Sequence, residues 1–327
     1  MKLFVYDMRE FDEAGLFEEY GRQFGIEVGS TDKDPSIETY RLAEGYDAIS
    51  VITTPIDAEL IDRFKSVGVR MISTRTIGYD HIDIGHAREC GMVVTHITYD
   101  PEGVADYTVM LMLMAVRKVG LIMSRNVAND FTLEGLLGRR MRDLRIGIVG
   151  AGRIGISVMR DLSGFGSEVL YTSRNPKTEA DRYGRFVDMD ELLGTCDIVS
   201  LHLELNGDTR HVIGSEALAK MKEGTILVNT ARGPLVDTDA LLDSLESGHI
   251  SVAALDVIEG EFGLYYNDCR GMDLEGTALE RLRSRDDVIL THHMAFYYDT
   301  AIRDMVRNCL ISTKMMDEGK EIPYRLD

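Results

Sequence analysis

Residues 145–155 have the sequence RIGIVGAGRIG, an apolar run that leads directly into three glycines spaced as GxGxxG. A helical pattern follows over residues 156–162, so the glycines predict the turn between a strand and a helix. Such glycines permit a tight turn, the approach of a pyrophosphate to the backbone, and close packing of helix on strand. Free N–H groups at the helix start favour an anion. We therefore predict dinucleotide binding at Gly150, Gly152, Arg153, Ile154 and Gly155.

The rest of the chain alternates short apolar runs with helical patterns, which is typical of parallel βαβ construction. The apolar runs predict a first group of strands at residues 3–6, 48–52, 70–73 and 92–95, and a second group at 145–149, 168–171, 198–201, 225–228, 252–255 and 288–290. Segments between them, such as residues 58–64, repeat apolar positions at helical spacing. We therefore predict an α/β protein with two Rossmann-like or flavodoxin-like parallel-sheet domains.

The join between the two predicted sheets lies at residues 99–102, where a proline marks the start of a helix. The helix predicted over residues 102–123 is apolar nearly all round, so we expect it to be covered on every side, in part by a second subunit. A last predicted helix, residues 300–317, follows the second sheet and is expected to return to the first. The predicted domains are a discontinuous one, 1–99 with 297–327, and an inserted dinucleotide-binding one, 100–296.

The length of 327 residues suits two domains. The formal net charge of −19 argues against a nucleic-acid partner, because no block rich in Lys or Arg stands out against it. An anionic ligand would also meet this negative field. Any anion site in this chain therefore has to supply its own local cation.

The four cysteines, Cys90, Cys196, Cys269 and Cys309, lie far apart and form no CxxC pair, so reduced thiols and no metal site are expected. The most apolar stretch, residues 104–123, contains three charged side chains and predicts a buried helix rather than a membrane span. The short, acidic N-terminal segment does not resemble a signal peptide. These features predict a cytoplasmic protein without a membrane partner.

The strand that follows the glycine loop normally ends in an acid that binds the adenosine ribose hydroxyls. Here that strand leads into Ser173 and Arg174, so the acid is missing. A small hydroxyl and a guanidinium leave space and charge for a 2′-phosphate, although an arginine on a surface loop is also often simply solvated. The two residues therefore predict an NAD(P)H site at which NADPH is accepted at least as well as NADH.

Three further segments carry side chains suited to anion binding and proton transfer. They are NTARGPLVD at 229–237 with Arg232, DVIEGE at 256–261 with Glu261, and THHMAF at 291–296 with His293. A cation for a carboxylate, a proton donor and an acid beside that donor are what reversible hydride transfer to a 2-oxo acid requires. Each residue alone has an ordinary structural explanation, but together, behind a dinucleotide loop, they favour a dehydrogenase.

With these segments the chain resembles the D-isomer-specific 2-hydroxyacid dehydrogenase family over essentially its whole length. Within that family it is similar to D-lactate dehydrogenases, including those of vancomycin-resistance gene clusters, and residues 265–269 (YYNDC) resemble the lactate-type subgroup. The resemblance implies that His293 is the general acid/base, that Glu261 is its partner carboxylate and that Arg232 binds the substrate carboxylate. It also implies a small 2-oxo or 2-hydroxy acid as substrate, a discontinuous domain that binds it, and a homodimer.

The same match implies further contacts. Those with the nicotinamide are Asp256, Thr230 and Ala231. Those with the substrate are Ile77 and Gly78, in a loop whose backbone N–H groups receive the carboxylate, and Tyr99 and Phe296, which line the side-chain pocket. The remaining cofactor contacts are Leu203 and Glu204, near the adenosine end, and Thr209.

Two positions depart from the family's pattern. His292 stands where the family usually has proline before the catalytic histidine, and the spacing favours His293 for that role. Glu204 stands where proline is common, and a carboxylate there weakens the expectation of 2′-phosphate binding. Pyruvate is the leading substrate, with a bulkier branched or aromatic 2-oxo acid as the alternative. A formate dehydrogenase is disfavoured because position 261 is not glutamine, and a non-catalytic NAD(H)-sensing protein is a remote alternative.

Overall fold

The computed structural model describes residues 1–326 and contains two parallel β-sheets flanked by helices. The strands are β1 (Lys2–Val5), β2 (Glu27–Ser30), β3 (Ala48–Val51), β4 (Met71–Thr74), β5 (Val93–Thr95), β6 (Arg145–Val149), β7 (Glu168–Thr172), β8 (Arg185–Phe186), β9 (Ile198–Leu201), β10 (Thr225–Asn229), β11 (Ile250–Leu255) and β12 (Val288–Leu290). The helices are α1 (Ala14–Phe24), α2 (Ala58–Ser66), α3 (Ile84–Glu89), α4 (Glu102–Val116), α5 (Val119–Val127), α6 (Arg153–Leu162), α7 (Met189–Thr195), α8 (Ser215–Lys220), α9 (Thr238–Glu246), α10 (Ala278–Arg283) and α11 (Asp299–Asp317).

The chain divides into two compact units. The first comprises Met1–Asp100 and the chain from Tyr297 onward, and the second comprises Pro101–Phe296. Each unit has its own parallel sheet, so the predicted two-sheet α/β fold is confirmed. The assignment of substrate binding to the first unit stays a prediction.

The sheet of the first unit has five parallel strands in the order β2-β1-β3-β4-β5. Four of these strands were predicted from their apolar runs, whereas β2 was missed. The sequence of β2 is EVGS, and its strand lies at the edge of the sheet with no fully buried residue. An edge strand needs less apolar surface than a central one, so its sequence carries little signal.

A buried ion pair anchors the chain that leaves β4. The guanidinium of Arg75 and the carboxylate of Glu13 are both fully buried and lie 3.2 Å apart. Arg75 also donates to the hydroxyl of Ser50 at 3.0 Å and to the backbone oxygen of Tyr6 at 3.0 Å. A buried charge is tolerated when its hydrogen-bonding groups are satisfied in this way. The pair fixes the start of the loop that contains Ile77 and Gly78.

The sheet of the second unit has seven parallel strands in the order β12-β11-β10-β9-β6-β7-β8. Two apolar clusters, one containing α4 and α6 residues and the other α7, α8 and α9 residues, pack against it. The order reverses beside β6, the strand that leads into the glycine loop. In an open parallel sheet such a reversal leaves a crevice at the carboxyl ends of the strands, where ligands bind.

The helix predicted over residues 102–123 is wrong as a single element. Two helices, α4 and α5, replace it, and they are bent by 65° relative to each other. The break occurs at Lys118, whose backbone has φ +54°. The N–H of Arg139 donates a hydrogen bond to the carbonyl oxygen of Val116. Neither helix is covered on every side within the chain, since Met110 is 38% exposed and α5 has no buried residue. Within residues 1–326, only this bent pair, and no single helix, has the length and composition of a membrane span.

The carboxyl of Asp7 makes the stability of the fold depend on pH. Asp7 follows β1 with φ +54°, and burial, followed by the neighbouring carboxyl of Asp34, raises the pKa of Asp7 to about 8 against the attraction of Arg75. The folded state therefore holds this proton more tightly than the unfolded chain. The resulting stabilisation is complete below about pH 4 and is lost as the pH rises towards 8.

We predict that Asp7→Asn makes the free energy of unfolding fall less steeply between about pH 4 and 8. The difference in slope should reach at most about 1.4 kcal/mol per pH unit, the limit for one titrating group. Urea unfolding at a series of pH values measures it. Asp32→Asn, at an exposed position, should retain the wild-type slope, and a wild-type slope in Asp7→Asn would contradict the prediction.

Candidate active site

The three predicted catalytic residues lie on loops that follow three neighbouring strands. Strands β10, β11 and β12 are adjacent and parallel, so their carboxyl ends lie at the same edge of the sheet. Arg232 follows β10, Glu261 follows β11 and His293 follows β12. Residues that are about sixty positions apart in the sequence therefore share one edge.

His293 and Glu261 form a hydrogen-bonded pair. The Nδ1 atom of His293 lies 2.7 Å from Oε1 of Glu261, and the other carboxylate oxygen accepts the N–H of Ile258 at 2.9 Å. An ionised carboxylate only accepts, so Nδ1 carries the hydrogen and donates it to Glu261. The two side chains are 17% and 23% exposed. This arrangement leaves Nε2 as the nitrogen able to exchange a proton with a ligand.

The backbone of His293 adopts a strained conformation that the buried carboxylate of Asp256 supports. His293 has φ +56°, which a residue with a Cβ adopts only at an energetic cost. The carboxylate of Asp256, fully buried, accepts hydrogen bonds from the hydroxyl of Thr291 at 2.6 Å and from the N–H groups of Met294 at 2.8 Å and Ala295 at 2.9 Å. The backbone oxygen of Asp256 also accepts the N–H of His293 at 2.7 Å. The turn that presents the imidazole is therefore held from both sides.

His292 has a different environment from its neighbour. Its side chain is exposed, and its ring lies edge-on to Tyr265 with the ring centroids 6.3 Å apart. Glu261 is paired with His293 instead. The choice of His293 as the catalytic histidine stays a prediction.

The loop that carries Arg232 is held by a buried amide. Asn229 is 1% exposed; its side chain donates to the backbone oxygen of Arg232 at 2.8 Å and accepts the N–H of Ala231 at 3.0 Å. The guanidinium of Arg232 donates to the oxygen of Ala231 at 2.8 Å. A Cβ at Gly233 would overlap the backbone of Ile258, so the glycine lets this loop reach the loop that carries Glu261.

The residues predicted to border the nicotinamide line the same edge of the sheet. Thr230 is 7% exposed, and its hydroxyl lies 2.8 Å from that of Thr108 in α4. Ala231 is partly exposed beside it. Asp256 is fully buried, and the contacts that the structure gives its carboxylate are with the chain around His293. Contact of these three residues with the nicotinamide stays a prediction.

An aromatic residue that we did not single out completes the surroundings of His293. The hydroxyl of Tyr266 donates to the backbone oxygen of His293 at 2.8 Å. The rings of Tyr266, His293 and Phe296 lie with their centroids 6.1–6.2 Å apart. In the sequence, Tyr266 was noted only as part of the YYNDC segment that resembles the lactate-type subgroup. Its contact with His293 was not predicted, because that contact depends on how two distant loops pack.

The glycine loop has the features needed to hold a dinucleotide. Gly150 has φ +105°, and an added Cβ would overlap the backbone of His202. A Cβ at Gly155 would overlap the carbonyl of Gly150, which explains the close packing of α6 on the loop. Gly152, the N-cap residue of α6, has open space where its Cβ would be. The ten-residue helix α6 begins at Arg153, and Ile154 packs partly buried against the core. This cradle fits a pyrophosphate at the helix N-terminus.

The residues predicted for the adenosine end follow β7 and β9. Arg174 and Glu204 form an ion pair at 3.1 Å, in which their side chains are 82% and 63% exposed. The hydroxyl of Ser173 donates to the oxygen of Asn175. The remaining two predicted contacts take part in local structure, since the Thr209 hydroxyl donates to the oxygen of Glu204 at 2.7 Å and Leu203 packs partly buried against the core.

The other predicted substrate contacts belong to the first unit. Ile77 and Gly78 lie in the loop after β4, where the hydroxyl of Thr76 donates to the oxygen of Gly78 at 2.6 Å. Tyr99 packs edge-on against Tyr298, with the ring centroids 6.2 Å apart. The role of these residues in substrate binding stays a prediction.

Comparisons with known proteins identify relatives over nearly the whole chain. Residues 109–295 match the family described as D-isomer specific 2-hydroxyacid dehydrogenase, NAD binding domain. The sequence is 41% identical over 306 residues to a D-specific alpha-keto acid dehydrogenase from Enterococcus faecium, with 92% of this chain and 94% of that protein covered. It is 36% identical over 315 residues to an aromatic 2-oxoacid reductase from Clostridium sporogenes, with 95% of each covered. The structure of a D-lactate dehydrogenase from Treponema pallidum matches all of both chains with a TM-score of 0.87 and 32% sequence identity.

The chain therefore belongs to the D-isomer-specific 2-hydroxyacid dehydrogenase family, and the resemblance seen in its motifs is confirmed. Within this family it is an oxidoreductase of the D-2-hydroxyacid or D-lactate dehydrogenase type. Its second unit is a nicotinamide-dinucleotide-binding domain.

We predict that His293→Ala lowers kcat at least ~100-fold while dinucleotide binding persists, because general acid catalysis contributes about that much. His292→Ala is the matched control and should stay close to the wild-type rate, since this neighbouring imidazole is exposed and is not paired with Glu261. Steady-state kinetics and fluorescence titration of the cofactor measure both effects. Exchange of the two phenotypes would show that the neighbouring histidine is the catalytic one.

Proposed function

We propose that the protein reduces a small 2-oxo acid, with pyruvate as the leading substrate, to the D-2-hydroxy acid with NAD(P)H. The observation that carries the proposal is the 2.7 Å contact between His293 and Glu261 at the edge of the sheet that also carries Arg232. This arrangement supplies a proton donor, a carboxylate that orients its imidazole, and a cation for a carboxylate.

In this proposal, each of the residues in the second unit has its own part in the reaction. The cofactor, when bound, supplies the hydride that reaches the carbonyl carbon of the substrate. Arg232 binds the substrate carboxylate and orients the carbonyl. Nε2 of His293 gives its proton to the carbonyl oxygen, while Nδ1 continues to donate to Glu261 and the ring keeps its orientation. In the direction of oxidation, Nε2 takes the hydroxyl proton back.

The identity of the substrate is the most specific part of this proposal. The relatives include both an alpha-keto acid dehydrogenase and an aromatic 2-oxoacid reductase. The rings of Tyr266 and Phe296 lie with their centroids 6.1–6.2 Å from that of His293, so aromatic side chains border the imidazole that would meet the substrate. The test measures kcat/KM for pyruvate, 2-oxoisocaproate and phenylpyruvate, with the chirality of each product. A preference for phenylpyruvate would replace pyruvate with the aromatic alternative, and cofactor binding without turnover of any 2-oxo acid would favour a sensor.

A homodimer is the second part of the proposal. Large apolar side chains are exposed in α5 and in the segment after it, namely Met123, Val127, Phe131, Leu133 and Leu137. Lys118 and Arg125 donate to the backbone at residues 134–135, which holds that segment against α5. An exposed apolar surface of this kind is typical of a subunit interface. Light scattering should give twice the mass of one chain, and Leu137→Glu should lower it while Met272→Glu, at an exposed position elsewhere, should not.

We predict that Glu261→Gln lowers kcat for reduction at least ~10-fold. The amide keeps the shape of the side chain, but it can donate as well as accept, so it no longer holds the hydrogen on Nδ1 and the orientation of the imidazole. The measurement is kcat for the 2-oxo acid at a saturating concentration of the cofactor. Glu259→Gln is the control, because this carboxylate, two residues away, pairs with His211 at 2.7 Å instead of His293. An unchanged kcat in Glu261→Gln would remove Glu261 from the mechanism.

The choice of cofactor forms the third part of the proposal, namely that NADPH is used at least as well as NADH. Ser173 stands where an acid would bind a bare ribose and repel a 2′-phosphate. The neighbouring guanidinium of Arg174 is engaged by Glu204, but both side chains are largely exposed, and an exposed pair of this kind contributes at most about 1 kcal/mol. A phosphate that contacts the arginine contributes about 1.5–3 kcal/mol, roughly ten- to a hundredfold in affinity.

We predict that Ser173→Asp lowers kcat/KM for NADPH more than for NADH. Glu204→Ala should have the opposite effect, since it releases Arg174 for the 2′-phosphate. The control is Glu216→Ala, which removes one exposed negative charge elsewhere and should leave the ratio of the two cofactors unchanged. A wild-type protein that strongly prefers NADH, with little change in Ser173→Asp, would contradict the proposal for this loop.

A further inference from the structure

A cluster of three metal-ligating side chains lies in the first unit, apart from the residues assigned to the reaction. Asp62 belongs to α2, His86 belongs to α3, and Cys90 is the C-cap residue of α3. The Nε2 atom of His86 lies 3.0 Å from Oδ1 of Asp62 and 3.4 Å from Sγ of Cys90, and Sγ lies 3.4 Å from the same carboxylate oxygen. The three ligand atoms thus form a nearly equilateral triangle.

The arrangement is not that of a proton relay. In a relay the carboxylate binds one imidazole nitrogen and the nucleophile faces the other. Here the thiol and the carboxylate both face Nε2 of His86. Three different ligand atoms within 3.0–3.4 Å of one another are instead suited to binding one cation.

The distances fit a transition-metal ion with little rearrangement. Tetrahedral zinc with ligands at about 2.0–2.3 Å separates neighbouring ligand atoms by about 3.3–3.6 Å. The observed separations of 3.0–3.4 Å need to open by only a few tenths of an ångström. A set of one nitrogen, one sulfur and one oxygen ligand favours Zn²⁺ or Co²⁺ over Mg²⁺ or Ca²⁺, which prefer oxygen alone.

The backbone holds the ligands in position. The strand-like bridge between Ile56 and Ile82 places the starts of α2 and α3 side by side. The side chain of Asp57 caps α2 and that of Asp83 caps α3, the latter through the N–H of His86 itself. His86 and Cys90 are four residues apart, so they share one face of the helix.

Two neighbouring charged residues have opposite effects on the binding of a cation at this site. Glu89 lies 4.0 Å from Nδ1 of His86, on the side away from the cluster, where a carboxylate supports a metal-binding imidazole. Lys65 is close enough to stabilise the Asp62 carboxylate and therefore weakens cation binding. Asp62 is 61% exposed and His86 is 26% exposed, so the site is open to solvent and leaves room for a water ligand.

We infer that Asp62, His86 and Cys90 form a binding site for one zinc-like divalent ion that joins α2 to α3. Binding releases the proton of the Cys90 thiol to solvent and forms a metal–thiolate bond, with no change in oxidation state. The fourth position is left to water or to a small anionic ligand. The ion would stabilise the first unit, because the folded chain holds three ligands together that the unfolded chain does not.

The test uses the full-length protein, stripped with a chelator and titrated with Co²⁺. We expect one equivalent to produce a near-ultraviolet thiolate-to-cobalt band, which Zn²⁺ abolishes by displacement, and Zn²⁺ to raise the Tm. Cys90→Ser should lack the band, and Asp62→Asn and His86→Ala should bind at least ~10-fold more weakly. Cys269→Ser, which removes the other partly exposed thiol, should behave as wild type.

Circular dichroism and dehydrogenase activity without added metal check that each variant is folded. A wild-type protein that gives no band at one equivalent of Co²⁺ would overturn the inference and leave a hydrogen-bonded surface triad. A band that persists in Cys90→Ser, or that disappears in Cys269→Ser, would overturn it as well, because the thiolate ligand would then lie elsewhere.

Discussion

The buried carboxylate of Asp256 is the constraint on which the candidate active site depends. Burying a charge is unfavourable unless hydrogen bonds satisfy it, and this carboxylate is satisfied by the chain on either side of His293. Those bonds hold His293 at φ +56°, a conformation that the local sequence would not adopt by itself. The same hydrogen bonds therefore offset two costs, the burial of the carboxylate and the strain of the backbone. The position of the imidazole therefore depends on a carboxylate that is itself fully buried.

The remaining geometry follows from this anchor and from close contacts between backbones. Asp256 begins the loop that ends at Glu261, so the chain segment that fixes the backbone of His293 also delivers the carboxylate to its side chain. Gly233 lets the loop of Arg232 approach the same segment at Ile258, where any side chain would overlap it. A cation, a carboxylate and an imidazole from distant parts of the sequence thus lie on loops at one edge of a parallel sheet.

The sequence was most informative where burial is symmetrical. Central strands such as Arg145–Val149 and Ile198–Leu201 were predicted at their observed bounds, because both faces are covered and the apolar run is continuous. The edge strands β2 and β8 were not predicted from the sequence, because a strand at the edge of a sheet is less covered and needs fewer apolar residues. The break at Lys118 was not predicted, because it depends on a hydrogen bond from a distant residue. The N–H of Arg139 donates to the carbonyl oxygen of Val116, which a continuous helix would have used within itself. The contacts of Tyr266 and the triangle around His86 likewise depend on tertiary packing, and no local pattern encodes them.

The negative net charge of the chain means that any anion site in it has to act over a short distance. With a net charge of −19, an anionic substrate and an anionic cofactor both approach against an unfavourable field. Salt screens that field over about 8 Å, so only groups in contact with the ligand decide binding. At the glycine loop the predicted groups are the uncharged N–H dipoles at the start of α6, and beyond β10 the predicted group is Arg232. At Arg174 the guanidinium already has an anionic partner, Glu204, so a 2′-phosphate at this position would compete with that carboxylate for one guanidinium.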